Sequence, residues 1–120
     1  MLPAPNRLRE RSDFTSAVRS FGGCRAGSRL LVVHATSTGA RAGLPPRVGF
    51  VVSKAVGGAV VRNRTKRRLR ALVAQRLDGI PTSVDLVVRA NPPAGQASSR
   101  ELQQALDPLL RRVVKGLGGV

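Results

Sequence analysis

The pattern of apolar residues predicts an α+β chain, a two-layer α/β sandwich with helices laid against one sheet in the order α-β-β-α-β-α. Three observations carry this prediction. Short runs rich in β-branched residues recur along the chain, longer stretches repeat their apolar residues at the helical period, and Gly/Pro clusters separate the two kinds. At 120 residues the chain has the size of one domain with a real core. Residues 1–120 are therefore read as a single domain without internal repeats, with residues 1–6 as a flexible N-terminal segment.

The first helix is read at Ser12-Asp13-Phe14-Thr15-Ser16-Ala17-Val18-Arg19. Ser12 or Asp13 caps it, and Phe14, Ala17, Val18 and Phe21 recur on one face. Gly22-Gly23 ends it, and a basic loop through Arg25 and Gly27 leads to the first strand, Arg29-Leu30-Leu31-Val32-Val33-His34. Ser37 to Pro46, rich in Gly, Pro and Thr, reads as the loop of a hairpin. The second strand, Arg47 to Ser53, places Val48, Phe50 and Val52 on one face. Gly57-Gly58 breaks it before a helix from about Ala59 to Leu77. Gly79-Ile80-Pro81 turns the chain into the third strand, Val84 to Arg89. The last helix opens with Ser98 and Glu101 at capping-box spacing and carries Leu102, Leu106, Leu109 or Leu110, and Val113 at helical period. Pro108 removes a backbone donor inside it, so a kink or restart is expected at Asp107-Pro108.

The helix after Gly57-Gly58 holds the strongest functional signal. Arg62-Asn63-Arg64-Thr65-Lys66-Arg67-Arg68-Leu69-Arg70 has six positive charges and no acid. Surface helices ordinarily interleave acids with bases, because opposite charges at (i, i+4) support a helix and like charges there repel. The nearest downstream acid is Asp78, so the counter-charge comes from outside the chain, and a polyanion supplies it. With successive residues about 100° apart, Val61, Thr65, Leu69, Leu72 and Val73 form one stripe that can dock on a sheet. Asn63, Arg64, Lys66, Arg67, Arg68 and Arg70 spread over the remaining arc, while Arg62 projects near the stripe at the helix start. Gly57-Gly58 lets the backbone approach a ligand, the first helical N–H groups favour an anion, and Lys54 reaches the same place. The plainer reading is a solvated basic face without a particular partner; the missing acids speak against it.

The whole chain agrees in sign. Twenty-one Lys plus Arg against six Asp plus Glu give a net charge of +15, a self-repulsion that a polyanionic partner relieves. Lysine stands only at 54, 66 and 115. The bias to arginine favours nucleic acid, since a guanidinium binds phosphate through two bonds and stacks on bases. An anionic membrane is the rival, but no apolar run approaches the ~20 residues of a spanning helix. Met1 to Arg7 lacks the apolar core of a signal peptide. Cys24, the single cysteine, can neither close an internal disulfide nor supply a thiolate cage, which fits a reducing, cytoplasmic setting. The aromatic residues are Phe14, Phe21 and Phe50 alone, too few for a surface built mainly on stacking. A protein-borne nuclease would need a general base or a carboxylate cage. His34 is the one histidine and the acids are scattered, so no residue is assigned to catalysis or to a metal. A DNA-reading helix-turn-helix is disfavoured too, because a strand and two glycines precede the basic helix.

Arg47-Val48-Gly49-Phe50-Val51-Val52-Ser53-Lys54, then Gly57, Ala59-Val60 and Arg62-Asn63-Arg64-x-Lys66-Arg67, resembles the signature of the bacterial ribonuclease P protein subunit. Asn6-Arg7-Leu8-Arg9 with Asp13-Phe14, and Asp85 to Ala90, are similar to that family's N-terminal segment and late strand. The resemblance covers essentially the whole chain. It implies a four-stranded sheet with a left-handed βαβ crossover, against the usual handedness rule, the extra strand being a short one around Cys24 or Thr36. It also implies the non-catalytic protein subunit of an endoribonuclease, whose RNA subunit removes the 5′ leader of precursor tRNA with bound Mg²⁺.

By the same resemblance, Lys54, Arg62, Asn63, Arg64, Lys66, Arg67, Arg68 and Arg70 would contact the catalytic RNA. Phe14, Val18, Val32 and Phe50 would line a cleft for the precursor-tRNA leader. One protein per RNA, a cytoplasmic location and no membrane partner go with it. Phe14 stays open to a second reading as a core residue packed on the sheet. The chain departs from the family at Ala55, Gly58 and Val18, where a lysine, an asparagine and an aromatic are common. The alternative is a ribosomal or chaperone-like RNA-binding module without a cleavage role. It accounts for the charge but not for the Arg47–Lys54 strand joined to the Arg62–Arg67 core.

Overall fold

The computed structural model describes residues 23–37 and 43–117. Their elements are β1 (Cys24–Gly27), β2 (Leu31–Ser37), β3 (Arg47–Val51), α1 (Ala59–Ala74), β4 (Val84–Ala90) and α2 (Ser99–Gly116). Turns of 3-10 helix stand at Lys54–Val56, Leu77–Gly79 and Pro92–Gln96. The helix expected at 12–19 and the N-terminal segment 1–6 lie outside the described residues. Within them the fold is α+β as predicted, a four-stranded mixed sheet with two helices.

The strand order is β1-β2-β4-β3, and it corrects one expectation. Residues 37–46 do not close a hairpin between β2 and β3, because β4 lies between those strands. β4 runs antiparallel to β2 from Leu31↔Ala90 to Ser37↔Val84 and parallel to β3 from Arg47↔Asp85 to Val51↔Arg89. The reason is written in β4 itself. Val84, Leu86, Val88 and Ala90 are buried in the core, and Val87, on the opposite face, is also buried. A strand that is apolar on both sides belongs in a sheet interior. The parallel β3–β4 pair needs a crossover, which α1 provides. The hairpin of this sheet joins β1 to β2, with Arg25 opposite His34. The short extra strand thus falls at Cys24, whereas Thr36 belongs to β2.

Alternation along the strands sorts the sheet into two faces. Leu31, Val33 and Ala35 of β2, Leu86 and Val88 of β4 and Val48 of β3 point to one side. There they meet Leu69, Leu72 and Val73 of α1 and Leu102, Leu106, Leu109 and Val113 of α2 in one continuous core. α2 lies over β1 and β2 and touches α1. Its first turn closes by a capping box: the Glu101 amide donates to Ser98 Oγ at 3.1 Å, and the Ser98 amide donates to Glu101 Oε1 at 3.0 Å.

The restart expected at Pro108 is absent, and α2 continues unbroken from Ser99 to Gly116 with the proline inside. Proline removes one helical bond there, and Leu106, Leu109 and Leu110 on both sides of it are buried in the core. α1 ends at Ala74, short of the predicted Leu77, which opens a 3-10 turn instead. Arg76, just past that end, pairs with Asp107 of α2 through Nε to Oδ1 and through Nη2 to Oδ2, the latter at 3.2 Å. No described helix is long and apolar enough to cross a membrane.

Candidate nucleic-acid interface

The basic run divides by its position around α1. Thr65, Leu69, Leu72 and Val73 are buried, as the apolar stripe predicts, and Val61 packs against the same core. Thr65 satisfies its hydroxyl within the helix by donating to the Val61 carbonyl at 2.8 Å. Asn63, Arg67 and Arg70 are exposed, Lys66 is half-buried, and together with Val60 they line a concavity of about 530 Å³. Val60, at 78 % exposure, is the most open large apolar side chain among the described residues. A second hollow of about 410 Å³ lies where Arg64, Arg67, Arg68 and Gln75 face Ser99 at the start of α2. No described acid comes near enough to pair with Lys66, Arg67 or Arg70.

The foot of the helix is built for close approach. Gly57 has φ = 155°, a conformation open to glycine, and a Cβ there would lie 2.8 Å from Val61 Cγ1. Gly58 is the N-cap, so no side chain caps α1, and its first turn holds no acid. The free N–H groups and the helix dipole together attract an anion. Lys54 is exposed on the 3-10 turn immediately before this foot.

The sheet face away from the helices carries a second set. Val32 is paired with Arg89, and Arg89 with Val51 across β4. His34 stands between Arg25 of β1 and Val87 of β4. Burial pushes the His34 pKa below its ordinary value, and the charges of Arg25 and Arg89 push it further down. Arg47 and Asp85 are register partners here and form a two-pronged ion pair, Nε to Oδ1 at 2.9 Å and Nη2 to Oδ2 at 2.8 Å.

The structure thus gathers Asn63, Lys66, Arg67 and Arg70 on one side of α1, with Lys54 exposed on the turn before its foot. Arg62, Arg64 and Arg68 are only half-exposed, and Arg62 Nε and Arg64 Nε are buried without a hydrogen-bond partner among the described residues. Val32 and Phe50 do not share a cleft. Phe50 pairs with Val88 and packs against the helix-side core, while Val32 takes the other face. Phe14 and Val18 lie outside the described residues. Sequence reasoning passed over Arg25 and Arg89 as site residues. Their signal was the strand alternation, which puts each in phase with Val32 or His34 once the register is known. An apolar cavity of about 460 Å³ between Ile80 and Leu110 includes no residue of the basic run.

Comparison with known proteins agrees with the geometry. The ribonuclease P family pattern matches residues 2–114. The ribonuclease P protein component of Streptomyces bikiniensis is 52 % identical over 122 residues, covering 97 % of this chain and 98 % of that one. The ribonuclease P protein of Staphylococcus aureus superposes with a TM-score of 0.77 at 27 % identity, covering 89 % of this chain and 94 % of that structure. The Thermotoga maritima ribonuclease P protein gives 0.75 at 27 % identity, covering 89 % and 96 %. A mixed four-stranded sheet, a basic crossover helix and this match along nearly its full length place the chain in the ribonuclease P protein family, components of a tRNA-processing endoribonuclease.

Proposed function

We propose that this protein binds the catalytic RNA of ribonuclease P and the 5′ leader of precursor tRNA, so that the RNA removes the leader. The observation that carries the reading is the unneutralised cationic row of α1. Lys66, Arg67 and Arg70 stand within two turns of each other with Asn63, and Arg62, Lys54 and the uncapped helix foot extend the positive surface. A row of this kind follows a phosphate backbone rather than a single anion. Shape recognition of a folded RNA needs little aromatic surface, in keeping with a chain that has three phenylalanines.

The leader is assigned to the other sheet face, over Val32 and His34, with Arg89 beside the first and Arg25 beside the second. An extended single strand there meets apolar surface flanked by cations. Phe14 and Val18 are retained as leader contacts, and Phe50, on the helix side, is left out. The two surfaces lie on different layers, which lets one protein grip the catalytic RNA and the substrate together. One protein per RNA and a cytoplasmic setting accompany this reading.

Hydrolysis is assigned to the RNA. Mg²⁺ would supply the attacking hydroxide and stabilise the leaving oxygen, yet the described side chains do not fit it, since no three His, Cys, Asp or Glu come together. This chain's residues bind, neutralise and orient.

The test is cleavage of precursor tRNA by a bacterial ribonuclease P RNA at low Mg²⁺, with the protein, without it, and with the protein alone. Cutting at the mature 5′ end only when both components are present is the expected result. RNA binding without rescue of cleavage would move the ribosomal or chaperone-like reading forward. Cutting by the protein alone would overturn the RNA-borne assignment.

A further inference from the structure

The basic helix is not uniformly a binding surface. Arg64 Nη2 donates to the Gly95 carbonyl at 3.0 Å, and one helical turn later Arg68 Nη1 donates to the Ala97 carbonyl at 2.7 Å. Both acceptors belong to the 3-10 turn at Pro92–Gln96 and the residue that ends it. The two arginines, at (i, i+4), lie on the same edge of α1 and hold that edge to the chain leaving β4.

The turn itself is held from beneath. A Cβ at Gly95 would lie 2.4 Å from the Val56 carbonyl oxygen and 3.0 Å from Val56 Cγ1 and Val61 Cγ1. Backbone at Gly95 therefore presses directly on the Lys54–Val56 turn and the first turn of α1. Ala94 and Ala97, either side of it, are buried in the core. The 92–97 turn thus meets residues 54–61, more than thirty positions earlier in the chain, and the arginine pair ties it to α1 from above.

Guanidinium geometry separates the two roles. Two-pronged binding of a phosphate along the side of an arginine uses Nε and one Nη together. In Arg64 the Nε is buried and Nη2 is already donating to a carbonyl, so that edge faces protein. Arg67, between the two clasping residues, is exposed and opens onto both hollows.

Resting on the RNA-binding reading of α1, we infer that Arg64 and Arg68 are positioning residues. They clamp the 92–97 turn and set the angle at which Asn63, Lys66, Arg67 and Arg70 meet the RNA. Neutralisation of phosphate belongs to the second group. Loss of a clamp arginine then acts on RNA affinity through the geometry of the helix, and it loosens the turn even when RNA is absent.

The experiment compares Arg68→Met, Arg64→Met and Arg67→Met in the full chain, each keeping an aliphatic stem. Amide hydrogen exchange at Ala94 and Ala97 is read without RNA, and binding to bacterial ribonuclease P RNA is read across a salt series. Removing one clamp hydrogen bond is expected to speed exchange at these amides about fivefold, and Arg67→Met to leave it unchanged. Arg67→Met is expected to lower the log–log salt slope by roughly 0.7–0.9. The clamp variants are expected to weaken binding severalfold with the slope kept. A clamp variant that lowers the slope while exchange stays at the wild-type rate overturns the inference. If instead Arg67→Met leaves both affinity and slope unchanged, the RNA reading of α1 fails, while the exchange result still decides the clamp. Arg64→Met serves in place of Arg68→Met should the latter not fold.

Discussion

His34 is a buried imidazole between Arg25 and Val87, and its lowered pKa gives the protein a pH response outside the carboxylate range. The unfolded chain protonates this group near its ordinary value of about 6.5, and the folded chain does so only at lower pH. The unfolded state thus holds more protons in that interval, and stability falls as pH drops through about 6.5 towards the folded value. Thermal melting between pH 5 and 7.5 should show this decline, and His34→Gln should flatten it; an unchanged profile would assign the slope to another group. Single residues were the scale at which sequence reading was least complete. The phase of Val32 against Phe50 depends on the β3–β4 and β2–β4 registers, and no run of residues states a register. The carbonyls that receive Arg64 and Arg68 are likewise some thirty positions away in the chain, invisible to a helical wheel that showed only which residues were charged.

Among the elements, α1 and α2 were legible because long amphipathic periods announce themselves. Ser98 with Glu101 even located the first turn of α2. The closed capping box lowers the Glu101 pKa, first through its bond from the Ser98 amide and then through the Ser98 hydroxyl. Ser98→Ala should lower unfolding stability by about 1 kcal/mol, measured by urea denaturation at neutral pH, and a loss near zero would mean that the turn stands without its cap. β1 was recoverable only by resemblance. Cys24-Arg25-Ala26-Gly27 buries Ala26, and Cys24 in part, and two small side chains within four residues are too short a pattern to read as a strand. The hairpin between β2 and β3 was misread for another reason. Consecutive strands usually neighbour each other, and the burial of β4 on both faces, visible as the run Val84 to Val88, outweighed that tendency.

At the scale of the whole molecule, the charge of +15 makes polyanions and salt act in opposite directions. Added salt screens the surface and weakens RNA binding, whereas a polyanion that binds only the folded chain stabilises it by mass action, about 2.7 kcal/mol at a hundred times its Kd. Thermal unfolding with ribonuclease P RNA present should therefore shift upward by several degrees, and the shift should shrink in high salt. A shift insensitive to salt would point to contacts other than phosphate. The central place of β4 has a temporal consequence. Among the described strands it is the one that pairs with β3, and without it β1 and β2 are a lone hairpin, marginal in water. A ribosome that has released the chain only as far as Ser83 has already delivered all of α1. The sheet then closes through distant pairings, which form slowly. The most cationic helix is made before the surface that orients it.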